Sequence, residues 1–131
     1  MATDQKDLWL APPDGQYEYN QFVEHVQRLI LKPNMAEPNR EFLRNVFAEI
    51  SEANFRHLCR IQALLDPLVE DVVVLTTSET NEIISIGGII NARGGINAMR
   101  ICYYTLKRIL MRSSNALELE YIWDGIGDWQ F

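Results

Sequence analysis

Residues that build metal centres and disulfides are scarce in this sequence, which has two cysteines and two histidines among 131 residues. Neither Cys59 nor Cys102 has another cysteine or a histidine at metal-ligand spacing, and His25 and His57 do not stand in a His-Glu-x-x-His arrangement. We therefore expect two free thiols in a reducing compartment, and neither a metal ion nor a cofactor.

Long apolar segments are also lacking. The apolar runs are a few residues long, whereas a membrane-spanning helix needs about 20 residues. Residues 1–7 carry two aspartates and one lysine and lead into no apolar stretch of signal-peptide length. These absences predict an intracellular protein, cytoplasmic or nuclear, with no membrane partner.

No catalytic motif is present. The sequence has neither a Gly-x-Ser-x-Gly elbow nor a Walker-type phosphate loop, and the glycines from 87 to 95 lack the Gly-x-Gly-x-x-Gly order. The remaining route to catalysis pairs His57 with Cys59 or Cys102. Residues two apart on a helix point about 200° away from each other, so His57 and Cys59 cannot meet. We expect no enzymatic activity and no catalytic residues.

One glycine pair has two interpretations. Gly94 and Gly95 lie beside Arg93 at the start of a helical pattern, where free backbone N–H groups can bind an anion. A tight turn that requires positive φ explains the same pair, and this second interpretation is favoured.

The overall composition is that of an ordinary globular domain, with 47% hydrophobic and 23% charged residues. At this length we expect a single domain over residues 1–131. Residues 1–16 include two adjacent prolines and are expected to form an irregular N-terminal arm.

Apolar residues at helical spacing predict three main helices. The first spans residues 17–31 and the third residues 96–112. The second begins at Asn39 as N-cap and reaches residue 65, and its apolar stripe keeps its phase throughout. Ser51 offers an alternative cap that would split this helix, but the unbroken phase favours one continuous helix.

The segment between the second and third helices has β character. Residues 72–77 and 82–86 are rich in β-branched side chains, and residues 89–91 follow a Gly-Gly pair, which predicts two or three short antiparallel strands. The rival is a helix over residues 79–92. Each glycine in a helix interior costs about 1 kcal/mol relative to alanine, which favours the strands.

The C-terminal residues alternate in polarity. Leu117, Leu119, Tyr121 and Trp123 fall on one side of an extended chain, and a following Asp-Gly pair suits a hairpin turn. A buried hairpin over residues 117–131 is predicted, with a partner-binding tail as the alternative. The expected fold is therefore α+β and helix-rich, with three main helices and a small antiparallel sheet or hairpins.

Charge is unevenly distributed along this acidic chain, whose formal net charge is −6. No acidic residue occurs between Glu82 and Glu118. The third helix instead carries a basic face that includes one aromatic residue, formed by Arg100, Tyr104, Lys107, Arg108 and Arg112. Such a face can bind phosphates and stack on a base, or it can pair with an acidic protein.

Three further aromatic residues are candidate interface anchors. Phe55 lies opposite the predicted buried stripe of the second helix, where either the N-terminal arm with Trp9 or a partner would cover it. Trp123 and Trp129 lie near the C-terminus, where they either complete the core or contact a partner.

These observations favour a non-enzymatic protein-binding module, such as an adaptor, an inhibitor or a complex subunit, with self-association into a homo-oligomer as one option. The alternative is a nucleic-acid-binding accessory protein that uses the basic face. The negative net charge and the small number of cations oppose it, because duplex binding usually recruits about 6–10 phosphate contacts. A small enzyme is the third hypothesis.

Overall fold

The computed structural model describes residues 19–67 and 75–130, and within them every regular element is helical. The α-helices are α1 (Tyr19–Ile30), α2 (Glu37–Glu49), α3 (Glu52–Leu65), α4 (Thr77–Ile109) and α5 (Leu117–Ile122), and a short 3-10 helix spans Ser113–Ala116. No strand occurs in the described ranges, so the predicted α+β fold is wrong. None of the helices described combines the length and the apolarity that crossing a bilayer requires.

The long second helix of the sequence analysis is two helices, α2 and α3. Ile50 leaves the helical conformation, and the hydroxyl of Ser51 accepts a hydrogen bond from the backbone N–H of Asn54 at 3.2 Å. The side-chain amide of Asn54 also donates to the carbonyl oxygen of Glu49 at 3.2 Å, which connects the two helices at the break. The prediction of one continuous helix is therefore wrong, and Ser51 is the N-cap of α3.

The beginning of α2 also differs from the prediction. This helix begins at Glu37, with Ala36 as N-cap and Pro38 in the first turn, not with Asn39 as N-cap. Proline is well accommodated in a first turn because its missing N–H would have no intrahelical partner there.

Helix α4 replaces the predicted strands at residues 82–86 and 89–91, and residues 72–74 of the first predicted strand lie outside the described residues. Thr76 and Glu79 form a capping box that starts the helix. Behind it, buried Ile83, Ile86 and Ile90 recur at helical spacing. The rival interpretation, a helix over residues 79–92, is the observed one, because burial of this face outweighs the weak helix propensity of its glycines.

Gly95 divides α4 into an N-terminal half, residues 77–94, and a C-terminal half, residues 96–109. Its φ of 67° and ψ of −159° are non-helical and bend the chain at this point. Positive φ is readily adopted by glycine and is strained for other residues. The interpretation of the glycine pair as a turn therefore agrees with the backbone.

The C-terminal segment, residues 117–130, is packed against both halves of α4. The N–H of the Trp123 indole donates to the carbonyl oxygen of Ile83 at 3.0 Å, and a Cβ on Gly87 would lie 2.5 Å from the indole nitrogen. On the other side of the bend, the Trp129 ring meets the Tyr103 ring edge to face, with centroids 5.6 Å apart. The two tryptophans therefore connect the two halves of the bent helix.

The hairpin prediction for this segment is wrong in conformation and only partly right in burial. Leu119 and Trp123, which are four residues apart, are buried, whereas Leu117 and Tyr121 are exposed. This is the pattern of an amphipathic helix with a period of 3.6 residues.

Candidate functional site

A pocket of about 510 Å³ lies between the C-terminal half of α4 and the C-terminal segment. Its buried floor is formed by Tyr103, Glu120 and Trp129, of which Glu120 retains partial exposure. The exposed rim includes Arg100, Tyr104 and Asp128. This volume lies within the range of ligand pockets, about 300–1,000 Å³.

Hydrogen bonds hold the floor in place. The Tyr103 hydroxyl donates to Oε1 of Glu120 at 2.8 Å, and the indole N–H of Trp129 donates to the backbone carbonyl oxygen of Glu120 at 3.2 Å. Burial raises the pKa of Tyr103, and the hydrogen bond and the charge of Glu120 raise it further. Tyr103 is therefore a neutral hydrogen-bond donor throughout the physiological pH range.

The loop that carries Trp129 onto this floor is compact. The backbone N–H of Gly125 donates to the carbonyl oxygen of Trp129 at 3.0 Å, and Gly125 has a φ of 90°. Gly127, with a φ of 54°, lies so close to Asn91 that a Cβ would be 2.5 Å from the side-chain oxygen. Trp129 also meets Trp123 edge to face, with ring centroids 5.3 Å apart. Contact with buried Trp123 of the core therefore supports Trp129 on the floor.

The basic face predicted from the sequence borders this pocket. Arg100 and Lys107 are exposed along the C-terminal half of α4, Arg112 is exposed beyond its end, and Tyr104 is 47% exposed. Arg100, Lys107 and Arg112 form no salt bridge within the described part of the chain, where other arginines pair with Glu37, Glu52 and Glu82.

Arg108 differs from the other cations of this face. Its guanidinium carbon lies 4.0 Å from the centroid of the Phe42 ring, and Nη1 donates to the carbonyl oxygen of Tyr104 at 3.1 Å. Burial lowers the pKa of Arg108, although a guanidinium remains charged at physiological pH. This cation therefore helps to attach α2 to α4 and is less free than Arg100 or Lys107 to contact a partner.

The other three candidate anchors are buried within the chain. Phe55 contacts Phe22 and Tyr19 of α1, with ring centroids 4.7 and 5.9 Å away, and Trp123 and Trp129 are buried beneath the pocket. The cover expected from the arm with Trp9 lies outside the described residues. Phe55 is covered by α1, and the tryptophans complete the core.

Burial shifts the pKa values of His57 and Cys102, the pair that the enzyme hypothesis would combine. Burial, followed by the charge of Arg93, lowers the pKa of His57. Cys102 is buried, which raises its pKa to about 12 with a further contribution from Glu49. A thiol of this pKa is a poor nucleophile at neutral pH. The described residues also bring no three His, Cys, Asp or Glu side chains together as metal ligands.

The glycine pair has a carboxylate nearby, which disfavours an anion site. A Cβ on Gly94 would lie 2.6 Å from the Cβ of Ala98 and 3.6 Å from a carboxylate oxygen of Glu49. A carboxylate at this distance repels an approaching anion.

Comparison with models of known protein families, with curated proteins and with solved structures finds no significant match to this chain.

The pocket between α4 and the C-terminal segment was not predicted from the sequence. Assigning residues 117–123 to a strand placed Glu118 and Glu120 on one solvent face, which hid the contact between Glu120 and Tyr103. The spacing of Leu119 and Trp123 was the signal that could have revealed a helix.

Proposed function

We propose that this chain is a non-enzymatic protein-binding module and that its docking surface consists of the pocket and the basic face beside it. The observation that carries this proposal is that exposed Arg100 lines a pocket with an aromatic floor, while exposed Lys107 lies further along the same helix, and neither forms a salt bridge within the described residues. Protein interfaces are enriched in arginine and aromatic residues, and their strongest contacts fill pockets surrounded by a polar rim.

The mixture of charges at this surface favours a protein over a nucleic acid. Glu120 and Asp128 line the same pocket as Arg100, so a phosphate backbone over Arg100 would also meet two carboxylates. Arg108 is engaged with Phe42, which leaves few cations to neutralise phosphates. A protein segment can carry both charges, so it can place acidic groups near Arg100 and basic groups near Glu120 and Asp128.

The chemistry of the thiols supports a non-enzymatic role. Cys102 would have to act as a nucleophile in the enzyme hypothesis, but burial keeps its thiol protonated at neutral pH.

The test compares capture of partners by the wild-type chain and by surface variants. Arg100→Glu and Lys107→Glu should each abolish capture of a partner, because each replaces an exposed cation with an anion on the docking surface. Lys32→Glu makes the same change of charge at an exposed position after α1 and should leave capture unchanged. Urea unfolding of each variant shows that the fold is retained.

The alternatives give different results in the same set of experiments. Capture that disappears after nuclease treatment, together with salt-sensitive binding of a single-stranded oligonucleotide, would support nucleic acid as the ligand. A homo-oligomer in sedimentation that dissociates in Arg100→Glu would identify a second copy as the partner. Equal capture by all three variants would refute the docking surface proposed here.

A further inference from the structure

The hydrogen-bond donors on the pocket floor are already used. The Tyr103 hydroxyl and the Trp129 indole N–H both donate to Glu120, one to its carboxylate and the other to its backbone. Oε2 of Glu120 has no hydrogen-bond partner within the described residues. The polar groups that the floor offers to a ligand are therefore acceptors, and they suit a ligand that brings its own donors.

The charge and the aromatic rings of the floor also favour a ligand that brings hydrogen-bond donors. Glu120 is the charged residue among the three that form the floor, and it is hydrogen-bonded to the two aromatic residues beside it, Tyr103 and Trp129. A carboxylate pairs with a cation, and the negatively polarised faces of aromatic rings attract the same cation. The interaction is strengthened where the floor is shielded from water.

Charged residues on the rim further restrict which partner segment can bind. Arg100 and Asp128 line the same pocket, are both exposed and carry opposite charges. Asp128 adds to the attraction for a cation at the floor, whereas Arg100 is available to a carboxylate that remains outside. The pocket, at about 510 Å³, has room for the whole side chain of a lysine or an arginine.

On the basis of the proposed function, we infer that the pocket anchors a lysine or arginine side chain of the protein partner. The ammonium or guanidinium group binds Oε2 of Glu120 on the pocket floor, next to Tyr103 and Trp129. A neighbouring acidic residue of the partner pairs with Arg100. The partner segment is therefore one in which a basic residue is followed or preceded closely by an acidic residue.

The inference can be tested with the intact chain and small capped amino acids. Nα-acetyl-lysine N-methylamide and its arginine, norleucine and glutamate counterparts are titrated while the indole N–H signal of Trp129 is followed by NMR. The lysine and arginine compounds should shift this signal with dissociation constants in the range of about 1–10 mM, as expected for a single anchored side chain. The norleucine compound has a similar apolar chain without the charge and should bind at least about tenfold more weakly.

The matched variants are Glu120→Gln and Glu118→Gln, which make the same change on the same helix. Glutamine at position 120 keeps an oxygen that can accept from Tyr103 but removes the charge, so the lysine compound should bind about tenfold more weakly or worse. Glu118 is not among the residues that form the floor or the rim, so Glu118→Gln should bind the lysine compound as the wild type does. If Glu120→Gln fails to fold, the comparison of lysine with norleucine in the wild type still decides the question.

Several outcomes would overturn the inference. Equal binding of norleucine and lysine would show an apolar groove, preferred binding of the glutamate compound would show an anion site controlled by Arg100, and no shift with any compound would show that the pocket takes no side chain. Each of these results is compatible with partner capture that depends on Arg100 and Lys107. Failure of this inference and failure of the proposed function can therefore be told apart.

Discussion

Substituting two leucines of α5 tests whether this segment is a helix packed on α4. Leu119 is completely buried, whereas Leu117 is 47% exposed, although the two residues are only two positions apart. Leu119→Ala should lower the free energy of unfolding by about 2–5 kcal/mol, the usual cost of removing a fully buried leucine side chain. Leu117→Ala should lower it by less than about 1 kcal/mol, because much of that side chain is in water in the folded state.

Unfolding in urea is monitored by circular dichroism at 222 nm, where the signal reports helix content. With a slope of about 1–3 kcal/mol per molar urea for a protein of this size, the Leu119 variant should unfold at a midpoint lower by about 0.7–5 M. In the hairpin arrangement the two leucines share one buried face and should lose similar amounts. Equal destabilisation by Leu117→Ala and Leu119→Ala would therefore contradict the helix described here.

Two further matched pairs follow from the structure. Gly87→Ala should destabilise the fold by about 1–3 kcal/mol because its Cβ would collide with the Trp123 indole, whereas Gly88→Ala, with open space around its Cβ, should be neutral or gain up to about 1 kcal/mol in urea unfolding. Iodoacetamide at neutral pH should alkylate half-buried Cys59 in the native protein, but Cys102 only after unfolding. Mass spectrometry of peptides from native and denatured samples measures both reactions, and alkylation of Cys102 in the native sample would contradict its burial.

Periodicity located helical residues correctly in α1 and in the C-terminal half of α4. The stripe of α1 was recognised, and the C-terminal half of α4 was placed close to its observed end. Phase alone could not detect the break between α2 and α3. Ser51 is a capping residue that accepts a hydrogen bond from Asn54, and such a cap ends one helix and starts another without shifting the apolar pattern.

The strands were predicted from local preferences that tertiary packing overrides. Isoleucines such as Ile83 and Ile90 favour strands in isolation, and Gly87 disfavours a helix interior. In the structure Gly87 is needed because the Trp123 indole occupies the space where a side chain would be. No local pattern reveals that contact, since the two residues are far apart in sequence. Trp123 also donates to the carbonyl oxygen of Ile83, so it packs the end of α5 against the same stretch of α4.

The basic face could be predicted because charge and helical spacing are visible in the sequence, whereas the pocket beside it could not. Arg100 and Lys107 are exposed as expected, but Arg108 is placed by Phe42, a residue of another helix. The pocket requires Glu120 to reach Tyr103, which depends on the bend of α4 and on the conformation of α5. Sequence reasoning therefore identified the charged border of the candidate site but not its centre.

This dependence of the pocket on the core determines which variants are informative about function. Trp123 is anchored on Ile83, meets Trp129 and thereby supports the floor around Glu120. A substitution at either tryptophan would alter folding and binding together, so loss of a partner in such a variant would not locate the interface. Arg100, at the exposed rim, makes no salt bridge in the described structure, so its substitution changes the surface while leaving these supporting contacts in place.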